Sequence, residues 1–124
     1  MSEKQIGAIS WTDLTVPEAE SIKDFYESVV GWQTRPHDMH GEYHDFDIFK
    51  PHSDECIAGI CHAKGFNADL PAQWLIYITV KDVEESARRC VELGGKIITG
   101  PRKMGDYVFC VIQDPAGAVS ALIQ

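Results

Sequence analysis

The sequence predicts an α+β protein built from two βαβββ modules, and three observations carry that expectation. The chain repeats itself: Thr15-Val16 followed by Glu18, Glu20 and Gly31 recurs as Thr79-Val80 followed by Asp82, Glu84 and Gly95, at a constant offset of 64 residues (Thr15 to Thr79, Gly31 to Gly95). In each copy the apolar period changes from that of a strand to that of an amphipathic helix, and a glycine closes the helix. Turn chemistry at Gly100-Pro101 and at Asp114-Pro115-Ala116-Gly117 then divides the end of the chain into short apolar runs. A tandem of like units meeting about a pseudo-two-fold axis would leave a pocket at their junction, the kind of place small-molecule sites favour.

Ile6 to Val16 is rich in β-branched and apolar residues and predicts the first strand. Its alternation sets Ile9, Trp11 and Asp13 on one face and Ser10, Thr12, Leu14 and Val16 on the other. Pro17 suits a first helical turn, and Glu18 and Glu20 suit the positive end of the dipole. Ala19, Ile22, Phe25, Tyr26, Val29 and Val30 recur at helical spacing, which predicts one buried stripe ended by a left-handed cap at Gly31. Trp32 to Ala63 is expected to hold three strands, two of them around Tyr43–Phe49 and Ile57–His62. Residues 64–73, with Gly65, Asn67, Asp69 and Pro71, read as a linker. Module one is thus 1–63 and module two 74–124, within a single domain.

The second copy opens with a strand over Trp74–Val80. A helix over Asp82–Leu93 follows, turning Val83, Ala87, Cys90 and Val91 inward. Glu84 with Arg88, and Glu85 with Arg89, are placed to pair at i,i+4 on the solvent side. Gly94-Gly95 stops this helix, and strands are predicted at Lys96–Thr99, Tyr107–Gln113 and Val119–Ile123.

The bulk properties bound the function. A chain of 124 residues and 13.8 kDa suits one compact unit. A net charge of −8 disfavours nucleic acid and anionic membrane as partners, since both recruit clusters of Lys and Arg. No apolar run is long enough to span a bilayer, and Met-Ser-Glu-Lys-Gln at the amino terminus is polar, so a cytoplasmic location is expected. The cysteines Cys56, Cys61, Cys90 and Cys110 form no close-set pair and read as reduced core residues rather than a disulfide frame or zinc site. Glycines spaced for a phosphate loop, a serine elbow and a cysteine–histidine pair are all missing from the sequence.

The pattern Leu14-Thr15-Val16, Phe25-Tyr26, Gly31-Trp32, then Val80-Lys81-Asp82-Val83, Leu93-Gly94-Gly95, Gly100-Pro101 and Asp114-Pro115-Ala116-Gly117 resembles the vicinal oxygen chelate superfamily over nearly the whole chain. That superfamily takes in glyoxalases, bleomycin resistance proteins and extradiol dioxygenases. The resemblance implies a cupped, mostly antiparallel eight-stranded sheet around a cavity, and a homodimer. In metal-dependent relatives four seats on the cavity-facing strands carry His or Glu. Counted from the shared motifs, three of those seats fall here on Trp11, Leu75 and Ala121, none of which offers a suitable lone pair; the second falls on the strand at Ile57–Ala63 without a fixed register. The expectation is a member lacking the usual metal ligands, with no metal and no cofactor.

The cavity walls are expected to carry Trp11, Leu75, Tyr77, Phe109 and Ala121, with Asp13 as polar anchor or base; the 64-residue offset pairs Asp13 with Tyr77 and Trp11 with Leu75. A carboxylate is uncommon in mid-strand, and the bland account of Asp13 is a structural hydrogen bond. His37, His40, His44 and His52, interleaved with Asp38, Glu42, Asp45 and Asp47, read as a solvated hairpin rather than a metal site. His62 reads either as a satisfied core residue or as a second acid–base group. Arg102, Lys103 and Met104 read as an exposed loop, or as a cationic rim to the cavity; Trp32 and Trp74 read as core. The expected function is binding of a small organic molecule. Three readings stay open: metal-independent proton transfer or lyase chemistry by Asp13, His62 and Tyr77; non-catalytic sequestration of a drug or metabolite; and a metal enzyme whose ligands lie in another register.

Overall fold

The computed structural model describes residues 5–39 and 43–124. Its elements are β1 (Ile9–Val16), α1 (Ala19–Val30), β2 (Gln33–Asp38), β3 (His44–Phe49), β4 (Cys56–His62), a 3-10 turn at Gly65–Asn67, β5 (Trp74–Thr79), α2 (Val83–Glu92), β6 (Lys96–Met104), β7 (Tyr107–Gln113) and β8 (Val119–Ile123). The chain is α+β: a mixed eight-stranded sheet and two helices, with the order strand, helix, three strands given twice. It packs as two compact units, one comprising Thr12–Trp74 and the other the segment through Trp11 together with Leu75–Gln124.

In the Thr12–Trp74 unit the strands run β2-β3-β4-β1. β1 pairs parallel with β4, Asp13 opposite Gly59 and Val16 opposite His62, while β3 pairs antiparallel with both neighbours. One sheet face packs α1 through Leu14, Val16, Phe46, Ile48, Ala58 and Ile60. Tyr26, Trp32 and Trp74 form an aromatic cluster beside that core, and Trp74 Nε1–H donates to Tyr26 Oη at 3.1 Å. The Leu75–Gln124 unit repeats the plan in the order β5-β8-β7-β6, with β5 parallel to β8 and Tyr77 opposite Ala121. Here Val83 and Ala87 of α2 pack on Cys110 and Leu122. Residues 7–10 run beside β5: Gly7 N–H donates to Thr79 O at 2.7 Å and Thr79 N–H to Ala8 O at 2.9 Å.

Caps fix both helices. Gly31 closes α1 at φ 85, as the sequence predicts, and Asp82 accepts from Glu85 N–H at 3.2 Å to start α2. Four expectations need correction. The first strand begins at Ile9 rather than Ile6. Phe25, Val29 and Val30 on α1, and Val91 on α2, stand in solvent, because each helix carries a wider apolar surface than one sheet face can cover. Arg88 pairs with Glu85 and Glu92 in place of Glu84, since one guanidinium reaches both i−3 and i+4. β6 does not stop at Thr99 but runs on to Met104, taking in Gly100, Pro101 and Arg102.

Candidate functional site

In the Leu75–Gln124 unit the face opposite α2 is ordered by register into two rows. Tyr77, Ala121, Val111 and Thr99 form one, and Thr79, Ile123, Phe109 and Arg102 the other. β8 lies between β5 and β7, so Tyr77 meets Phe109 only by reaching over it. The two rings do meet, stacked at 6.1 Å between centroids and 21° between planes. Ala121, the partner of Tyr77 on β8, carries a single methyl group. Phe109 is buried and Tyr77 half-buried, so Tyr77 carries the accessible aromatic surface of the pair. The Arg102 guanidinium carbon lies 5.1 Å from the Phe109 ring centre. Leu75 is buried on the same face, one alternation before Tyr77, and Trp11 is half-buried in the same unit. Five of the residues singled out from the sequence thus belong to one unit, and four of them lie on one face.

The other unit also has a helix-free face. Asp13, Gly59 and Asp47 form a row across β1, β4 and β3, with Thr15 and Cys61 in the next. Gly59 is what allows Asp13 to lie flat, because a Cβ there would stand 2.7 Å from Asp13 Oδ1. His62 pairs with Val16, in the row that faces α1, so the register sets it apart from Asp13. Its backbone N–H donates to Asp45 Oδ1 at 2.9 Å, and its Nδ1 lies 3.4 Å from the same oxygen. The hairpin group disperses: His44 and His52 are exposed, His37 Nδ1 lies 3.3 Å from Asp47 Oδ2, and His40 and Glu42 fall outside the described residues. Asp45 departs from the solvated expectation, being buried under this contact with His62.

Three thiols, those of Cys56, Cys61 and Cys110, are held protonated. Burial pushes Cys61 well above the ordinary thiol range, and the carboxylates of Asp13, Asp45 and Asp47 push the same way. Burial also takes Cys110 up to about 11 and raises Cys56. Such thiols are weak nucleophiles and weak metal ligands. Among the described residues no three His, Cys, Asp or Glu side chains gather closely enough to hold an ion. The side chains that the resemblance assigns to three metal seats, Trp11, Leu75 and Ala121, offer no lone pair suited to a divalent metal.

Sequence reasoning named Phe109 but missed Arg102 as part of its sheet face, reading it as loop or rim. The signal lay in Gly100-Pro101, which reads as a turn but acts as a bulge.

A family model described as Glyoxalase/Bleomycin resistance protein/Dioxygenase superfamily matches residues 8–121. The provisionally named glyoxylase CFP32 of Mycobacterium tuberculosis (strain CDC 1551 / Oshkosh) is 27% identical over 124 residues, covering 99% of this chain and 48% of its own length. The anthracycline biosynthesis protein DnrV of Streptomyces peucetius is 27% identical over 131 residues, covering 94% of this chain and 46% of its own. The chain therefore spans about half the length of the curated relatives it matches. Among solved structures, a glyoxalase/bleomycin resistance protein/dioxygenase superfamily member from Vibrio splendidus 12B01 aligns with TM-score 0.58 at 13% identity, over 92% of this chain and 96% of that one. Methylmalonyl-CoA epimerase from Mycobacterium tuberculosis aligns with TM-score 0.54 at 14% identity, over 99% and 91%. At these identities the structural likeness speaks for the fold alone.

Proposed function

The chain belongs to the Glyoxalase/Bleomycin resistance protein/Dioxygenase superfamily, and from that membership we propose that it binds a small organic molecule on the helix-free face of β5, β8, β7 and β6, with a planar group of the ligand lying on Tyr77. The stacked pair Tyr77–Phe109 carries this reading: it sets an aromatic ring, backed by a buried one, on a face no helix of its unit covers. Leu75 and Ala121 are buried beneath this face, and Trp11 lies half-buried in the same unit. The names of relatives lend support. DnrV is named as an anthracycline biosynthesis protein, and an epimerase of the same fold is known in complex with methylmalonyl-CoA.

A fluorescence titration with 2-naphthamide, a planar neutral probe, tests it. Wild-type protein and Tyr77→Phe should bind alike, while Tyr77→Ala should lose on the order of tenfold in affinity, the scale of one aromatic contact. Equal affinity of Tyr77→Ala and wild type, or no binding by either, would overturn the reading.

A second reading starts from Asp13, a carboxylate on the helix-free face of the other unit. On it the protein is a lyase or isomerase that moves a proton without a metal, with Asp13 as base. Asp13→Asn should then abolish turnover and spare binding, whereas in a protein that only sequesters its ligand it should alter affinity alone. We also propose a homodimer, because Phe25, Val29, Val91 and Leu93 leave apolar surface exposed on or beside both helices; light scattering should give twice 13.8 kDa. The four cysteines are free thiols, which supports a reducing, cytoplasmic setting. No described helix is long and apolar enough to cross a membrane.

A further inference from the structure

The net charge of −8 is not shared between the two compact units. Residues 12–74 hold twelve Asp and Glu against four Lys and Arg, while the rest of the chain holds seven of each. The Thr12–Trp74 unit therefore carries the whole excess, and the other is neutral.

α1 belongs to the acidic unit, and its outer surface is also apolar. Ile22, Phe25 and Val29 follow one another along one line at helical spacing. Ile22 is half-buried at the sheet, whereas Phe25 is 53% and Val29 63% exposed. Ser21 and Ser28 border this line, and side chains that small let a second helix come close. Glu20 and Asp24 stand in solvent one step further round, and Glu18 continues the line at its N-terminal end. Lys23, the only base of α1, folds back to the sheet: its ammonium lies 5.2 Å from the Phe46 ring centre and 2.9 Å from Asp24 Oδ1.

We propose that this face of α1 is a docking surface, and that its occupant is a basic amphipathic helix of another protein. An apolar seam flanked by acid complements a helix with apolar anchors at i, i+3 or i+4 and i+7 and with lysine or arginine beside them. Charge argues against a second copy here, because two such helices face to face would bring two units of −8 together. Self-association is left to Val91 and Leu93, on and beside α2 in the neutral unit. The seam shares no residue with the ligand face of β5, β8, β7 and β6, so the two stand or fall separately.

The probe is a peptide of two Leu-Lys-Lys-Leu-Leu-Lys-Leu repeats, which puts its leucines on one helical face; fluorescence anisotropy follows its binding. Wild-type protein should bind it on the order of tenfold or more tightly than a peptide of the same composition in which leucine and lysine alternate. Phe25→Ser with Val29→Ser should lose on the order of tenfold in affinity. Thermal melts should show that variant folded, since both side chains stand in solvent. Glu18→Gln with Glu20→Gln should lose several-fold and flatten the salt dependence. Asp54→Asn with Glu55→Gln, which removes the same charge between β3 and β4, should bind as wild type does. Equal binding of the two peptides, equal binding by wild type and the seam variant, or an equal loss in the variant at Asp54 and Glu55 would overturn the proposal. A wild-type dimer that the Phe25 and Val29 changes convert to monomer, seen by light scattering, would also overturn it, because the occupant would be a second copy.

Discussion

The carboxylate of Asp13 fills the space that a side chain at Gly59 would need, a Cβ there standing 2.7 Å from its Oδ1. Asp47 stands on the other side of the same glycine, so two acidic residues flank one bare backbone position. Gly59→Ala should therefore destabilise the protein by about 1–3 kcal/mol, the usual cost of an overpacked site. In an Asp13→Ala background the same change should cost much less, because the obstructing oxygen is gone. Urea unfolding of the four proteins in this double-mutant cycle measures the difference, and additive effects would show that Asp13 does not depend on Gly59.

Ala121 plays the corresponding part opposite Tyr77. Ala121→Leu should force Tyr77 and Phe109 apart, costing roughly 1–3 kcal/mol and altering the near-ultraviolet dichroism of the aromatic rings. Ala121→Gly should keep the ring signal. An unchanged spectrum in the leucine variant would mean that the stack does not pass over β8.

The cysteines should divide by burial. Iodoacetamide at pH 8 should spare Cys61 and Cys110 in folded protein and modify them after unfolding, as peptide mass mapping can follow. The same burial makes stability depend on pH. Folded Cys61 keeps its proton above the ordinary value of 9.0, while the unfolded chain releases it, so the unfolded chain binds fewer protons there. Stability should hold below pH 9 and fall as pH rises beyond it, more steeply in wild type than in Cys61→Ala.

The bond from Trp74 Nε1 to Tyr26 Oη links the start of β5 to α1. Trp74→Phe keeps much of the ring packing and removes the donor, and should cost about 1 kcal/mol in thermal or urea unfolding. Tyr26→Phe in the same background should then add little.

Much of this architecture is legible in the residues. Gly31 and Asp82 cap their helices as their chemistry dictates, and the runs Tyr107–Gln113 and Val119–Ile123 coincide with β7 and β8. The 64-residue offset that relates Asp13 to Tyr77 reappears as parallel pairing of each with the last strand of its module, Gly59 for one and Ala121 for the other. What alternation along a strand cannot reveal is a change of register. Gly100-Pro101 carries the composition of a turn, and only pairing with β7 turns it into a bulge and Arg102 into a residue of the sheet face. Helical periodicity likewise gives the apolar arc of α1 but not how much of it a sheet covers, so Phe25 and Val29 read as core and stand in water. The burial of Asp45 under His62 depends on a contact 17 residues away in sequence, beyond any local pattern.

β1 is one continuous strand, yet Ile9–Trp11 pack with one compact unit and Thr12–Val16 with the other. A gene cut between the two repeats would thus not release two independent halves. The C-terminal fragment would lose the stretch that satisfies both backbone groups of Thr79, and would present a raw edge to any passing strand. Such a fragment should recover order when residues 1–11 are supplied in trans, because they are part of the same compact unit.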